Sequence, residues 1–106
     1  MSRYAMAKPY TLPESLAELD GPTTGTLTLP RSIDWGPHYT YDLGDHADLV
    51  LMYERVIREA PTPEDLRAYL HGPTLWRLWP HLFLPVEART AWLARFPALG
   101  SAAAAA

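Results

Sequence analysis

The residues of this chain that could do chemistry are four histidines (His38, His46, His71, His81), twelve carboxylates, a few serines and a regular acidic triplet, Asp42, Asp45 and Asp48. A catalytic zinc site would show two histidines four apart around a glutamate, or a tight histidine and carboxylate cluster in helical register. Neither pattern occurs, so the expectation is that no metal is bound. The triplet has a spacing of three and could hold a divalent cation. It reads better as acids favouring the start of a following helix through its dipole. Ser2, Ser15, Ser32 and Ser101 lack the glycine-flanked setting of an activated nucleophile, and Gly21 and Gly25 punctuate a strand rather than cradle phosphate. No catalytic residue and no cofactor are assigned, and the chain is expected not to be an enzyme.

The elements around these residues belong to a small protein. With 106 residues there is room for one modest core, and 48% hydrophobic with 20% charged residues is globular composition. The net charge is -3. Up to residue 60 there are nine acids against five bases, and beyond it three against four. Neither half carries the basic excess of a strong nucleic-acid footprint. The absence of cysteine excludes disulfides, thiolate metal sites and cysteine nucleophiles. No run approaches the ~20 apolar residues that span a bilayer, and the opening residues lack the apolar core of a secretory signal. A cytoplasmic protein is expected.

Patterning gives an α+β, mostly α fold as one domain over 11–99. Residues 1–10 form a flexible N-terminus, and the tail 100–106, GSAAAAA, has nothing to pack against. Leu12, Leu16 and Leu19 recur at helical spacing within TLPESLAELD, predicting a short helix that Gly21-Pro22 stops. Alternating Thr and Leu at 26–29 and the run His38 to Leu43 predict a hairpin. In it Tyr39, Tyr41 and Leu43 share a face and Trp35-Gly36-Pro37 makes the turn. From Asp45 the period changes. Leu49, Met52, Tyr53, Val56 and Ile57 mark a helix over 46–60. Thr62-Pro63-Glu64-Asp65 opens a second over 63–71 that buries Leu66, Tyr69 and Leu70, with Gly72 as its C-terminal cap. A third starts after Pro73 and is broken by Pro80. The last, over 85–96, carries Ala88, Trp92 and Phe96 on one stripe with Val86 and Leu93 beside it.

The strongest remaining signal is aromatic: four Trp, six Tyr and two Phe. The stretch TLWRLWPHLFLP (74–85) holds seven large apolar residues and two prolines. Two prolines in so short a run rule out a membrane span. As a helix, Leu75, Leu78 and Trp79 point one way while Trp76 lies about 100° from Leu75, so one face cannot bury both tryptophans. Trp79 and Trp92 are expected in the core, with Trp76 the residue to present outward. The lengths of the segments after 62 also suit a helix-turn-helix built on 62–96. However, the 74–79 segment offers only Arg77 to a DNA groove, and the arginines at 55, 58 and 67 alternate with acids, as on an ordinary solvated face.

RLWPHLFLP (77–85), Arg89, Trp92 and ARFPAL (94–99), together with DGPTTGTLTLP (20–30), TYDL (40–43) and MYERVIREA (52–60), resemble small actinobacterial proteins encoded beside nucleotidyltransferase-type toxins of the abortive-infection class. One lysine against eight arginines fits such a GC-rich source. The resemblance implies an antitoxin-like or accessory protein whose partner is the toxin. Larger antitoxins of such systems carry a winged-helix repressor domain that has no equivalent here. The expected function is thus a non-enzymatic protein-interaction domain contacting its partner through Trp76, Arg77, Trp92 and Arg95. A small helix-turn-helix-like DNA-binding regulator is the competing reading, nucleic acid being disfavoured, and a homo-oligomer is a further option.

Overall fold

The computed structural model describes residues 10–101. Within them the order is a 3₁₀ turn (Leu16–Glu18), two strands β1 (Thr26–Thr28) and β2 (Thr40–Asp42), and helices α1 (His46–Glu59), α2 (Pro63–Tyr69), α3 (Gly72–Leu78) and α4 (Val86–Arg95), with 3₁₀ turns at Trp79–His81 and Pro97–Gly100. This is an α+β, mostly α domain, as the patterning implies.

α1 forms where the 3.6 period is strongest. Asp45 caps it by accepting from the Asp48 backbone N–H at 2.9 Å, which satisfies one of the amides a helix start leaves orphaned. Its apolar stripe, Leu49, Met52, Tyr53, Val56 and Ile57, is buried in full. α2 is capped by Thr62 and begins on Pro63. Leu66 and Leu70, Leu75 and Leu78, and Ala88 and Trp92 join the same core, all fully enclosed. At ~25 cal/mol per Å² of apolar surface, each large side chain taken out of water stabilises the fold by roughly 2 kcal/mol before entropy is subtracted.

The hairpin pairs Thr26 with Asp42, Leu27 with Tyr41 and Thr28 with Thr40, antiparallel. Leu29, Tyr41 and Leu43 are buried, whereas Tyr39 stays 47% exposed with its ring edge-on to Tyr41 at 4.7 Å. The link between the strands is longer than the expected turn at 35–37. It folds back at Pro30, whose carbonyl accepts from the amides of Ile33 and Asp34, and it buries Ile33 completely. Isoleucine at 33 gives the connection a hydrophobic anchor of its own, which removes the need for a tight turn.

Three further expectations are corrected. The N-terminal helix shrinks to one 3₁₀ turn, with Ser15 N–H donating to Glu18 at 3.3 Å. Gly72 does not cap α2; it is the first residue of α3, and α2 ends on Leu70 in extended conformation. Leu99 is fully buried, and Gly100 and Ser101 close the last turn, where Ser101 Oγ donates to the Ala98 carbonyl at 2.7 Å. Pro80 acts as expected, tightening α3 into 3₁₀ geometry at Trp79–His81 before the chain runs extended at Leu82. Val86 lies 75% exposed rather than beside the core stripe. The expected flexibility of 1–9 and disorder of 102–106 lie outside the described residues.

The segment before β1 is held by an isolated antiparallel bridge between Asp20 and His71. Gly21 N–H donates to Leu70 O at 2.8 Å and Gly72 N–H to Leu19 O at 2.9 Å. A Cβ on Gly21 would lie 2.7 Å from the Tyr69 carbonyl carbon, and one on Gly72 would lie 2.5 Å from Leu16 O. Glycine is therefore required at both positions by backbone approach. Gly72→Ala is expected to lower unfolding free energy by about 1–3 kcal/mol, read as a shift in urea midpoint. Gly100→Ala, whose Cβ would meet only a Leu93 methyl at 3.6 Å, should leave the midpoint nearly unchanged.

Candidate interaction surface

Of the four residues expected to touch a partner, Trp76, Arg77 and Arg95 are exposed and Trp92 is not. Trp92 is fully buried, stacked at a tilt on Phe96 with 5.8 Å between centroids, and its indole N–H has no hydrogen-bond partner. It has no surface to offer, because α4 turns its whole Ala88, Trp92, Phe96 stripe inward. Trp76 is 36% exposed, but its indole N–H donates to the Ala98 carbonyl at 3.1 Å, tying α3 to the final turn. Arg95 is exposed, and its guanidinium donates to Pro13 O at 3.2 Å, holding the N-terminal segment. Arg77 is exposed. Trp79 is buried beneath the Arg89 guanidinium, 4.8 Å from the ring centroid, and Arg89 also donates to Leu82 O.

The DNA-reading geometry is equally thin. α2 and α3 are seven residues each. Arg67 on α2 is engaged by Glu18 at 2.9 Å and Glu64 at 3.3 Å, which leaves Arg77 as the outward cation of α3.

The large exposed apolar side chains gather elsewhere. Trp35 (57%), Tyr39 and Leu51 (52%) stand outside the core where the hairpin crosses α1, and Phe83 is 84% exposed beyond them. Asp48, Leu51, Arg55 and Arg58 recur at spacings of three and four, which places them on the α1 stripe that faces away from the core. An open cavity of about 310 Å³ lies there, lined by Tyr39, Tyr41, Leu51, Glu54, Arg55 and Arg58. The Arg55 guanidinium sits 5.9 Å from the centroid of Trp35 and 4.0 Å from Asp34.

Carboxylates hold this surface in shape. Asp48 accepts from the Tyr39 hydroxyl at 2.6 Å and from the Asp42 backbone N–H at 2.9 Å, clamping β2 to the first turn of α1. Asp34 accepts from the Tyr41 hydroxyl at 3.1 Å and from Gly36 N–H at 3.3 Å. Glu54, only 8% exposed, accepts from the Phe83 N–H at 2.6 Å and so fixes the loop that carries Phe83. Hydrogen bonds to a charged acceptor are roughly twice as strong as neutral ones, so each acid orders the segment it reaches.

The same bonds set the titration behaviour. The hydrogen bond from Asp48 raises the Tyr39 hydroxyl above the ordinary tyrosine range, and burial followed by the Asp34 bond raises Tyr41. Both phenols stay protonated at neutral pH. The Tyr39 hydroxyl, then the Asp42 amide, keep Asp48 below the usual carboxylate range.

Two histidines that look scattered in the sequence meet here in space: His46, opening α1, and His81, ending the turn after α3, lie edge to face at 5.7 Å between centroids. Among the described residues there is no group of three or more His, Asp or Glu side chains that could hold a metal ion. No helix among them is long and apolar enough to cross a membrane. No family model, curated protein or solved structure matches the chain.

Asp48 gives a pH prediction. Its pKa is depressed in the folded state, so the stability it contributes is fully present above the unfolded aspartate value near 4 and is lost as pH falls through the lower folded value. Thermal melts from pH 7 downward should lose stability below about pH 4. Asp48→Asn should melt lower at pH 7 and show a shallower fall through the acid range. An unchanged acid slope would show that the clamp is not the titrating element.

Proposed function

We propose that this chain is a cytoplasmic, non-enzymatic protein-interaction domain that docks through the outer stripe of α1 and the aromatic residues beside it. The observation that carries this is the cluster of Trp35, Tyr39 and Leu51, each about half exposed, around the Arg55 guanidinium. Trp, Tyr and Arg are the residue types that dominate interface hot spots, because they bury large area at small entropic cost and keep one polar edge. A domain of this size gains nothing for its own stability by leaving them in water. Their positions are also fixed in advance, by Asp48 on Tyr39 and by Asp34 on Tyr41 and Gly36. Preorganisation of that kind lowers the ordering cost of association.

The partner to test first is a nucleotidyltransferase-type toxin encoded beside the gene, the partner implied by the resemblance of 20–30, 52–60 and 77–99 to small proteins of such systems. Neutralisation would then be by direct contact. The regulator reading has no comparable support, since Arg67 is already engaged by two carboxylates.

Co-expression should give a stable complex with the toxin. Trp35→Ala is expected to weaken it about 30-fold or more, the size of a hot-spot loss, with the helical circular dichroism unchanged. Trp76→Phe, which removes the N–H bonded to Ala98 and shortens the ring, should leave affinity near the parent value. Binding untouched by Trp35→Ala, or no complex with any product of the chain's own operon, would sink the reading.

A further inference from the structure

We infer that the open cavity between the hairpin and α1 receives a lysine ammonium of the docked protein, with Glu54 as its counter-ion. This rests on reading the outer face of α1 as a docking surface, and names the chemistry of the side chain that enters it.

Glu54 lines the cavity of about 310 Å³ yet is only 8% exposed. Its Oε2 accepts from the Phe83 N–H at 2.6 Å. Among the described residues its Oε1 has no hydrogen-bond partner, and no cation stands within ion-pair distance of the carboxylate. A carboxylate this far out of water is ordinarily paired with a cation or satisfied on both oxygens. One backbone amide is half of that complement. The arginines of the same lining do not complete it: Arg55 turns to Asp34 at 4.0 Å and lies 5.9 Å from the Trp35 centroid, and Arg58 makes no ion pair with Glu54.

Charge and donor geometry then select the ligand. The lining and the acids bonded to it hold three carboxylates, Glu54 together with Asp48 and Asp34 behind the two phenols, against the guanidinium groups of Arg55 and Arg58. The imbalance is one negative charge, so a single positive charge is what the site lacks. Tyr39 and Tyr41 donate their hydroxyl protons to Asp48 and Asp34, which leaves both phenol oxygens able only to accept. Their rings, 4.7 Å apart, add aromatic surface on which a cation is favoured. Leu51 offers apolar contact to an aliphatic stem. Because Oε2 is already taken, the two-pronged pairing of arginine with a carboxylate is not available, whereas an ammonium needs one oxygen.

The Phe83 amide, bonded to Glu54, reports on the site. In the full chain, titration with N-acetyl-lysine methylamide should shift that amide in nitrogen–proton correlation spectra, with a dissociation constant on the order of millimolar, the scale of one isolated side chain. The norleucine analogue, with a similar stem and no charge, should bind about tenfold more weakly or worse, and the arginine analogue no tighter than lysine. Glu54→Gln keeps an acceptor for the Phe83 N–H and removes the charge, so it should weaken the lysine probe about tenfold or more with helical circular dichroism unchanged.

Equal binding of the lysine and norleucine probes would overturn the ammonium as ligand, and that comparison holds even where Glu54→Gln does not fold. Tighter binding of the arginine probe would overturn the single-oxygen geometry. Spermidine binding about a hundredfold tighter than the lysine probe would overturn a protein side chain as the source, in favour of a free polyamine. No shift of the Phe83 amide at probe concentrations on the order of 50 mM would overturn the cavity as a site. Each result is distinguishable from failure of the docking surface itself, which is read from Trp35→Ala in the complex.

Discussion

The fold depends on one backbone junction, the antiparallel bridge between Asp20 and His71. Its two reciprocal bonds, Gly21 to Leu70 and Gly72 to Leu19, join the N-terminal segment to the link between α2 and α3. The central helix reaches the same point: the Tyr53 hydroxyl, fully buried, accepts from the His71 N–H at 2.9 Å, and His71 Nδ1 and Thr74 Oγ1 lie 2.8 Å apart. Three parts of the chain distant in sequence are thus fixed by groups that, once buried, could not be left unpaired without a cost of about 1–3 kcal/mol each. Two glycines make the approach sterically possible. Arg67 on Glu18 and Arg95 on Pro13 then tether the N-terminal segment on either side.

From that junction the arrangement of the surface follows. The N-terminal segment is held against the link between α2 and α3, and Trp92 of α4 enters the same core as the inward stripe of α1. The hairpin lies along α1, anchored by Asp48 and by buried Tyr41 and Leu43. What stays in water is the stripe through Leu51 and Arg55, together with the aromatics that the strand connection places beside it. The exposed apolar area is a consequence of how the core is completed. Its acids serve as caps and clamps at one end, which makes its charge uneven.

The sequence carries the fold better than the site. Wherever a signal is local and periodic it reads correctly: the α1 stripe, the Thr62-Pro63 start, and the effect of Pro80 all act through neighbours within a turn. Gly72 misleads because a glycine after a helix has two uses, a left-handed cap or a close backbone contact, and only tertiary structure decides between them. Ile33 misleads by sitting in a polar loop without periodicity. The site is less legible still. Leu51 falls off the stripe of Leu49, Met52, Tyr53, Val56 and Ile57, so the helical period turns it outward, but nothing local shows which residues from the hairpin stand beside it. Trp35 reads as part of a turn, and Glu54 as one solvated acid among several, because its bond to Phe83 spans 29 residues.

Trp76 and Trp92 sharpen the same point. Helical geometry rightly says that α3 cannot bury both Trp76 and Trp79 on one face, and Trp79 is the one enclosed. It does not follow that Trp76 awaits a partner, since an indole needs an acceptor as well as cover. The final 3₁₀ turn supplies Ala98 O, a backbone carbonyl whose position no side-chain pattern encodes. Trp92 is the reverse case, its ring entirely enclosed while its N–H goes unpaired. For that residue, area outweighs hydrogen bonding: a tryptophan buries roughly 200 Å², which at ~25 cal/mol per Å² is about 5 kcal/mol, more than the roughly 1–3 kcal/mol one orphaned donor costs. Aromatic content alone therefore does not locate an interface in so small a domain. The proposed surface rests instead on Tyr39, half exposed with its hydroxyl already held by the Asp48 carboxylate.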